Sequence, residues 1–199
     1  MNTTTTLAAG LPDAVHETQR AFRAVLDALA RPGQIRSVGE PLPGVALGGA
    51  MARLLLTLCD EETPVWWQND DPALQSWLRF HTSATLADST ARASFAVMTD
   101  IGHAPALEDF ALGSAAAPEF SSTLLIELPA LQGGPALEWR GPGIEVMQRV
   151  TLQGLPADFW TQWQANQASF PQGVDIIFTC AQHAIGLPRT TRVSRSEGV

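Results

Sequence analysis

The chain has 199 residues, of which 45% are hydrophobic and 16% are charged, and its formal net charge is −8 at pH 7. This composition is typical of one globular domain, and it argues against binding to nucleic acid or to an anionic membrane, because phosphate contact needs basic surfaces. All 12 basic residues are arginine. The absence of lysine excludes a pyridoxal phosphate Schiff base, a Walker-A loop and a Ser-Lys dyad within this chain.

The cysteines and the start of the chain indicate the compartment. Cys59 and Cys180 lie far apart in the sequence, and residues 1–9 lack the pattern of a secretory signal. No apolar run approaches the roughly 20 residues that a membrane-spanning helix needs. We therefore expect a cytoplasmic protein in which both thiols are reduced.

Four segments have the apolar spacing of helices. The first covers residues 15–30, with Asp13 as its N-cap and Arg31-Pro32-Gly33 at its end. The predicted inner face of this helix consists of Phe22, Val25, Leu26 and Leu29. The corresponding stripes of the next two helices are Met51, Leu54, Leu55 and Leu58, and then Leu74, Trp77, Leu78 and His81. The fourth helix follows Pro156, and Phe159, Trp160, Trp163 and Phe170 are predicted to lie on or near its inner face.

Short apolar runs between these helices predict strands, and some of the runs are continuous enough to be covered on both faces. The strand candidates are residues 34–38, 94–98, 123–128, 136–139, 144–152 and 174–179. Strands that alternate with helices favour an α/β fold: a single domain over residues 1–199, with a mixed central sheet flanked by helices. We expect residues 1–12 and 193–199 to be flexible.

The residues that could carry chemistry form no strong motif. The four histidines are scattered and Cys180 and His183 supply only half of a zinc site, so no metal site is predicted. The run Asp60-Glu61-Glu62 is either a solvated turn or a weak Mg²⁺ site. No Gly-x-Ser-x-Gly elbow is present, and Cys59 is expected to be buried and inert.

Arginines near the end of the chain are the best candidates for ligand binding. Arg189, Arg192 and Arg195 stand among hydroxyl residues, a pattern that suits phosphate or phosphonate but that a solvated basic tail also explains. His81 lies at the end of an apolar stripe, where an interface or core histidine is the simpler interpretation. Arg31 follows a helix and can stabilise its dipole without any further role.

Six segments in order give the chain a family resemblance. They are residues 22–33 (FRAVLDALARPG), 54–66 (LLLTLCDEETPVW), 77–82 (WLRFHT), 141–144 (GPGI), 170–175 (FPQGVD) and 187–191 (LPRTT). Together they resemble the H subunit family of the bacterial carbon–phosphorus lyase system for phosphonate breakdown. The resemblance covers nearly the whole chain.

The resemblance implies a fold similar to the large domain of pyridoxal-phosphate-dependent transferases, with the cofactor site lost and no cofactor bound. It also implies assembly with the G, I and J subunits, assisted by the L subunit, in a cytoplasmic core complex. That complex forms alpha-D-ribose 1-methylphosphonate 5-triphosphate from MgATP and methylphosphonate. A later radical step on the J subunit uses an iron–sulfur cluster, which two isolated cysteines cannot hold here.

Three functions follow as hypotheses. The first is an accessory or structural subunit of the synthase, with no catalytic residue identified in this chain. The second is an anion-binding module for ATP or phosphonate in a remnant transferase-like pocket. Its lining is predicted to include Arg31, His81, Asp175, Arg189 and Arg192. The third is an independent hydrolase or transferase with Asp60 or Glu62 as base. The low charge and the six tryptophans further predict a homodimer in isolation.

Overall fold

A computed structural model describes residues 7–195 of the chain. The α-helices in this part are α1 (Ala14–Ala30), α2 (Gly49–Leu58), α3 (Pro72–Thr82) and α4 (Phe159–Ala168). The strands are β1 (Arg36–Ser37), β2 (Val65–Trp67), β3 (Phe95–Met98), β4 (Thr123–Glu127), β5 (Leu137–Arg140), β6 (Gln148–Val150), β7 (Asp175–Cys180), β8 (His183–Leu187) and β9 (Arg192–Arg195).

The central sheet has six strands in the order β1-β8-β7-β4-β3-β2. Strands β2, β3, β4 and β7 are parallel, whereas β8 runs antiparallel to β7 and β1 antiparallel to β8. A second, antiparallel sheet has the order β6-β5-β9. The predicted α/β fold with a mixed central sheet and flanking helices is confirmed.

Two hydrophobic cores cover the two faces of the central sheet. Helices α1, α2 and α3 pack on one face, against residues such as Val97, Leu125 and Ile177. Helix α4 and the small sheet pack on the other face, against Leu124 and Ile126 among others. Successive strand residues point to opposite faces, so a strand that is apolar at every position can be buried on both sides. Burial on both faces therefore explains the continuous apolar runs in the sequence.

The helix boundaries follow the capping signals. The Asp13 carboxylate accepts the His16 N–H at the start of α1. At the start of α3, Asp71 Oδ1 accepts the N–H groups of Ala73 and Leu74 at 3.0 and 3.1 Å. Ser83 ends α3 in the left-handed conformation. These caps satisfy backbone groups that a helix end leaves without intrahelical partners.

Helix α1 agrees in part with its predicted inner face, since Val25 is buried and Leu29 packs partly buried against the core. Phe22 and Leu26 are 50% and 56% exposed, whereas Ala21, Val25 and Ala28 are buried. The cause is a close approach between α1 and β8, since a Cβ at Gly186 would lie 2.6 Å from the Ala28 carbonyl oxygen. Small residues are required at such a contact, so Ala21 and Ala28 replace the bulky residues on the inner face.

The fourth helix agrees in part with its prediction. Phe159 and Trp163 are buried in α4, and Trp160 packs at the edge of the same core. Phe170 is exposed instead of lying on the inner face. It follows the last turn of the helix, and the chain has left the helical path there.

Three strands were not predicted, because each lacks a long apolar run: β2 has three residues, β8 contains glycine, and β9 buries only Val193. The flexibility expected for residues 1–12 and 193–199 stays a prediction, although the described parts of both segments make hydrogen bonds. Residues 192–195 pair with β5, and the carbonyls of Ala8 and Ala9 bond to side chains of α3. The rest of the two predicted flexible segments, 1–6 and 196–199, lies outside the described residues.

Candidate functional site

Polar side chains lie in one row where three parallel strands end. Trp67 pairs with Val97 and Val97 pairs with Leu125, so these residues form a row on the α1–α3 face of the sheet. Two positions further along each strand direction come Asn69, Thr99 and Glu127. Since side chains alternate with a period of two, the polar residues continue the apolar row beyond the edge of the core.

Amide side chains fix the ends of β2 and β3 beside each other. Gln68 Oε1 accepts the N–H groups of Thr99 and Asp100 at 3.1 and 2.9 Å, and Gln68 Nε2 donates to the Asp100 carbonyl at 2.5 Å. Asn69 Nδ2 donates to Thr99 Oγ1 at 2.9 Å. Nearby, the hydrogen bond from His103 lowers the pKa of Asp100. The carboxyl edge of the sheet is therefore held by side-chain bonds beyond its strand ladder.

Glu127 is the carboxyl group at this edge whose pKa burial raises. Its Oε2 accepts the Gly48 N–H at 3.4 Å, at the start of α2. Burial raises the pKa of the Glu127 carboxyl, and the bond from Gly48 offsets only part of that effect. A Cβ at position 48 would lie 2.2 Å from Glu127 Oε1, so a larger residue there would displace the Glu127 carboxylate.

These residues border a cleft of about 440 Å³ between the 45–48 segment, the edge of the sheet and the start of α3. Its polar lining comes from Gly48, Asn69, Asp71, Thr99 and Glu127, and its apolar lining includes Trp67 and Val97. Ligands of open α/β sheets bind at the carboxyl ends of the strands. The cleft is thus the candidate site.

The sequence interpretation missed this cleft. Its only local signal is a polar residue two positions after an inward-facing apolar residue, as in Trp67 and Asn69, Val97 and Thr99, or Leu125 and Glu127. Such pairs are common at strand ends. Only the pairing register of the sheet shows that the three polar side chains share one row.

Of the five predicted ligand-binding residues, Asp175 and Arg189 are in contact. The Arg189 N–H donates to Asp175 Oδ1 at 2.7 Å, and the guanidinium bonds to both oxygens of the same carboxylate. Nη1 also donates to the carbonyls of Pro118 and Pro171, and Nη2 to Ser121 Oγ at 2.5 Å. These bonds engage every N–H of the guanidinium, so Arg189 ties four segments of the chain together.

The other three residues have separate surroundings. Arg31 forms an ion pair with Asp27 at the end of α1. The exposed His81 ring has Nε2 3.1 Å from the Ala8 carbonyl oxygen, and so holds the 7–10 segment on α3. Arg192 is exposed on β9. The structure does not bring these three into the Asp175–Arg189 cluster, and anion binding by the set stays a prediction.

The Asp60-Glu61-Glu62 run forms an exposed turn. Asp60 Oδ1 accepts the Glu62 N–H at 3.0 Å and the Thr63 hydroxyl at 3.0 Å. Over residues 7–195, no group of three or more His, Cys, Asp or Glu side chains is placed to hold a metal ion. Burial raises the pKa of Cys59 to about 12, which makes its thiol a poor nucleophile.

The family model described as "Bacterial phosphonate metabolism protein (PhnH)" matches residues 9–194. The chain belongs to the PhnH family. The match includes the cleft, the Asp175–Arg189 cluster and most of β9. The resemblance carried by the six sequence segments is confirmed.

Two relatives extend this finding. The chain is 40% identical to a Rhizobium meliloti (strain 1021) protein named "Alpha-D-ribose 1-methylphosphonate 5-triphosphate synthase subunit PhnH", over 92% of this chain and 93% of that protein. It is 27% identical to the Stutzerimonas stutzeri protein "Putative C-P lyase subunit protein HtxG", over 88% of this chain and 85% of that protein. Both alignments cover most of each chain. Within residues 7–195, none of the helices is long and apolar enough to cross a membrane.

Proposed function

We propose that this PhnH-family chain is a subunit of the synthase that forms alpha-D-ribose 1-methylphosphonate 5-triphosphate in bacterial phosphonate catabolism. The observation that carries the proposal is the 40% identity to the Rhizobium meliloti synthase subunit over nearly the full length of both chains. An alignment over nearly the full length of both chains includes surface residues as well as core residues, and partner binding depends on the surface residues.

The role that we propose within the synthase is accessory or structural. Arg189 is fully engaged within the fold, Cys59 is a poor nucleophile, and Asp60 is occupied in a turn. These observations favour a structural role for the three residues that the sequence suggested as ligand-binding or catalytic candidates. The proposed substrates of the whole assembly are MgATP and methylphosphonate.

The proposed partners are the G, I and J subunits of the carbon–phosphorus lyase core complex, with the L subunit assisting, in the cytoplasm. We also propose that the isolated chain forms a homodimer, and that its fold is related to the large domain of pyridoxal-phosphate-dependent transferases. Because the chain has no lysine, we propose that it binds no pyridoxal phosphate. The exposed Phe22 and Leu26 on α1 are available for a partner.

Genetic complementation tests the proposed function. A bacterium that lacks its own PhnH subunit is expected to regain growth on methylphosphonate as sole phosphorus source when it expresses this chain. Growth of the same strains on inorganic phosphate is the control for general fitness. A tagged chain is expected to copurify with the G, I and J subunits encoded with it.

Failure of both experiments with a folded, expressed chain would overturn the proposal. The Arg192→Ala variant separates the two subunit hypotheses, since its exposed side chain is expected to leave the fold intact. Unchanged growth removes Arg192 from anion binding. Lost growth with normal copurification would favour the anion-binding hypothesis over a purely structural role.

A further inference from the structure

The cleft at the carboxyl edge of β2, β3 and β4 has an acidic lining. It includes the carboxylates of Asp71 and Glu127, and none of its lining residues in the 7–195 range is an arginine, lysine or histidine. A phosphate or phosphonate group in this cleft would face two carboxylates without a cation to balance them. The cleft therefore selects against anions.

The start of α2 does not reverse this selection. A helix N-terminus normally attracts an anion, because its N–H groups and its dipole point outwards. Here the protein supplies that anion itself, since Glu127 Oε2 accepts the Gly48 N–H. A second anion at this helix end would have to displace the Glu127 carboxylate.

The two carboxylates keep acceptor atoms free in the lining, beside two donors: the Thr99 hydroxyl and Trp67 Nε1, a buried atom without a partner among the described residues. Gly48 N–H is the only hydrogen-bond donor that the described residues supply to the Glu127 carboxylate. Asp71 uses Oδ1 for the helix cap, which leaves Oδ2. Asn69 Nδ2 donates one N–H to Thr99, which leaves its Oδ1 and a second N–H. A ligand with several N–H donors matches these acceptors, and burial of Glu127 makes a donor there more favourable.

The size and the apolar lining limit the ligand further. A volume of about 440 Å³ is within the range of small-molecule sites. Trp67 supplies an aromatic residue, and Leu74 and Val97 supply aliphatic ones. Aromatic side chains bind flat rings and organic cations favourably.

We propose that this cleft binds a small flat organic cation or amine, whose N–H groups donate to Glu127 and its polar neighbours while its ring packs beside Trp67. The ligand carries no negative charge, which distinguishes it from a phosphonate or a nucleoside triphosphate. This inference does not depend on the proposed subunit role.

Two probes of nearly equal shape and opposite charge test the inference. Benzamidine carries an amidinium group with N–H donors, whereas benzoate carries a carboxylate at the same place. Calorimetric titration of the full chain at neutral pH is expected to give saturable benzamidine binding in the millimolar range and no measurable benzoate binding. Equal binding of both probes, or no benzamidine binding at millimolar concentrations, would overturn the proposal.

Two further experiments, with variants and with changes of pH, test whether benzamidine binds in the cleft. Glu127→Gln keeps the shape but removes the charge, and it is expected to weaken benzamidine binding about tenfold or more. Glu62→Gln, which changes an exposed carboxylate in the 60–63 turn, is the matched control and is expected to bind normally. Unchanged binding by a folded Glu127→Gln variant contradicts the assignment. If that variant does not fold, weaker benzamidine binding by the unmodified chain as pH falls through the Glu127 pKa supports the assignment, and pH-independent binding overturns it.

Discussion

Replacing Arg189 by alanine is expected to destabilise the fold strongly. The side chains of Arg189 and Asp175 are only 12% and 25% exposed, so their ion pair is largely shielded from water. Removal of one partner from a buried pair costs about 3–5 kcal/mol, because the remaining charge is left uncompensated. Partial exposure and the remaining N–H bond to Asp175 place the expected cost near the lower end, at about 3 kcal/mol.

The cost has a second source in the segments that Arg189 connects. Without the guanidinium, the carbonyls of Pro118 and Pro171 and the Ser121 hydroxyl lose a charged donor. Hydrogen bonds to charged groups contribute about 1.5–3 kcal/mol when they are buried, and less where water can replace the donor. The lost hydrogen bonds and the lost ion pair involve the same side chain, so their free energies do not simply add, and the expected total stays at about 3 kcal/mol.

Urea unfolding and thermal melting measure the loss. For a chain of this size, a cost of about 3 kcal/mol corresponds to a decrease in Tm of roughly 6–12 °C. The control is Arg192→Ala, an exposed arginine three positions further on, which is expected to change the free energy of unfolding by less than about 0.5 kcal/mol. Equal losses for the two variants would refute the structural role of Arg189.

Three further predictions concern other buried groups. Arg53→Ala removes a buried ion pair with Glu17 between α1 and α2 and is expected to cost about 3 kcal/mol in urea unfolding. Arg20→Ala removes an exposed arginine 3.9 Å from the same Glu17 carboxylate and is expected to cost less than about 1 kcal/mol; equal costs contradict this. Because burial raises the pKa of Cys59 to about 12, iodoacetamide is expected to modify Cys180 much faster than Cys59 in the folded chain. Peptide mass spectrometry measures the two rates, and equal rates contradict this prediction. Because burial raises the pKa of Glu127, the unmodified chain loses stability as pH rises from the ordinary glutamate pKa through the raised one. Glu127→Gln has no group to ionise there, so its free energy of unfolding relative to the unmodified chain is expected to rise over this pH window. A difference in urea unfolding that does not change with pH contradicts this prediction.

The role of Arg189 affects how functional tests are interpreted. A variant that loses growth on methylphosphonate because it unfolds says nothing about anion binding. Loss of growth with Arg189→Ala is therefore informative only beside its unfolding curve, whereas Arg192→Ala tests function directly. Stability losses of a few kcal/mol alone can lower the amount of a protein in the cell.

The sequence by itself determined the elements whose causes are local. Asp13 and Asp71 mark helix starts because their carboxylates bond to N–H groups two or three residues away. The continuous apolar runs of β3 and β4 identify strands buried on both faces. The six family segments also identified the PhnH family, because each is a short run of residues that is recognised without the tertiary structure.

The tertiary structure alone decided which residues border Val25 on the buried face of α1 and where the cleft lies. Gly186 on β8 draws α1 close enough that Ala28, not Phe22, lies inside, and no periodicity within α1 records that contact. The row of Asn69, Thr99 and Glu127 comes from three strands about 30 residues apart, and it exists only in the observed register. Pairing between distant strands depends on the packing of the whole core, so local patterns could indicate the strands but not the site they form together.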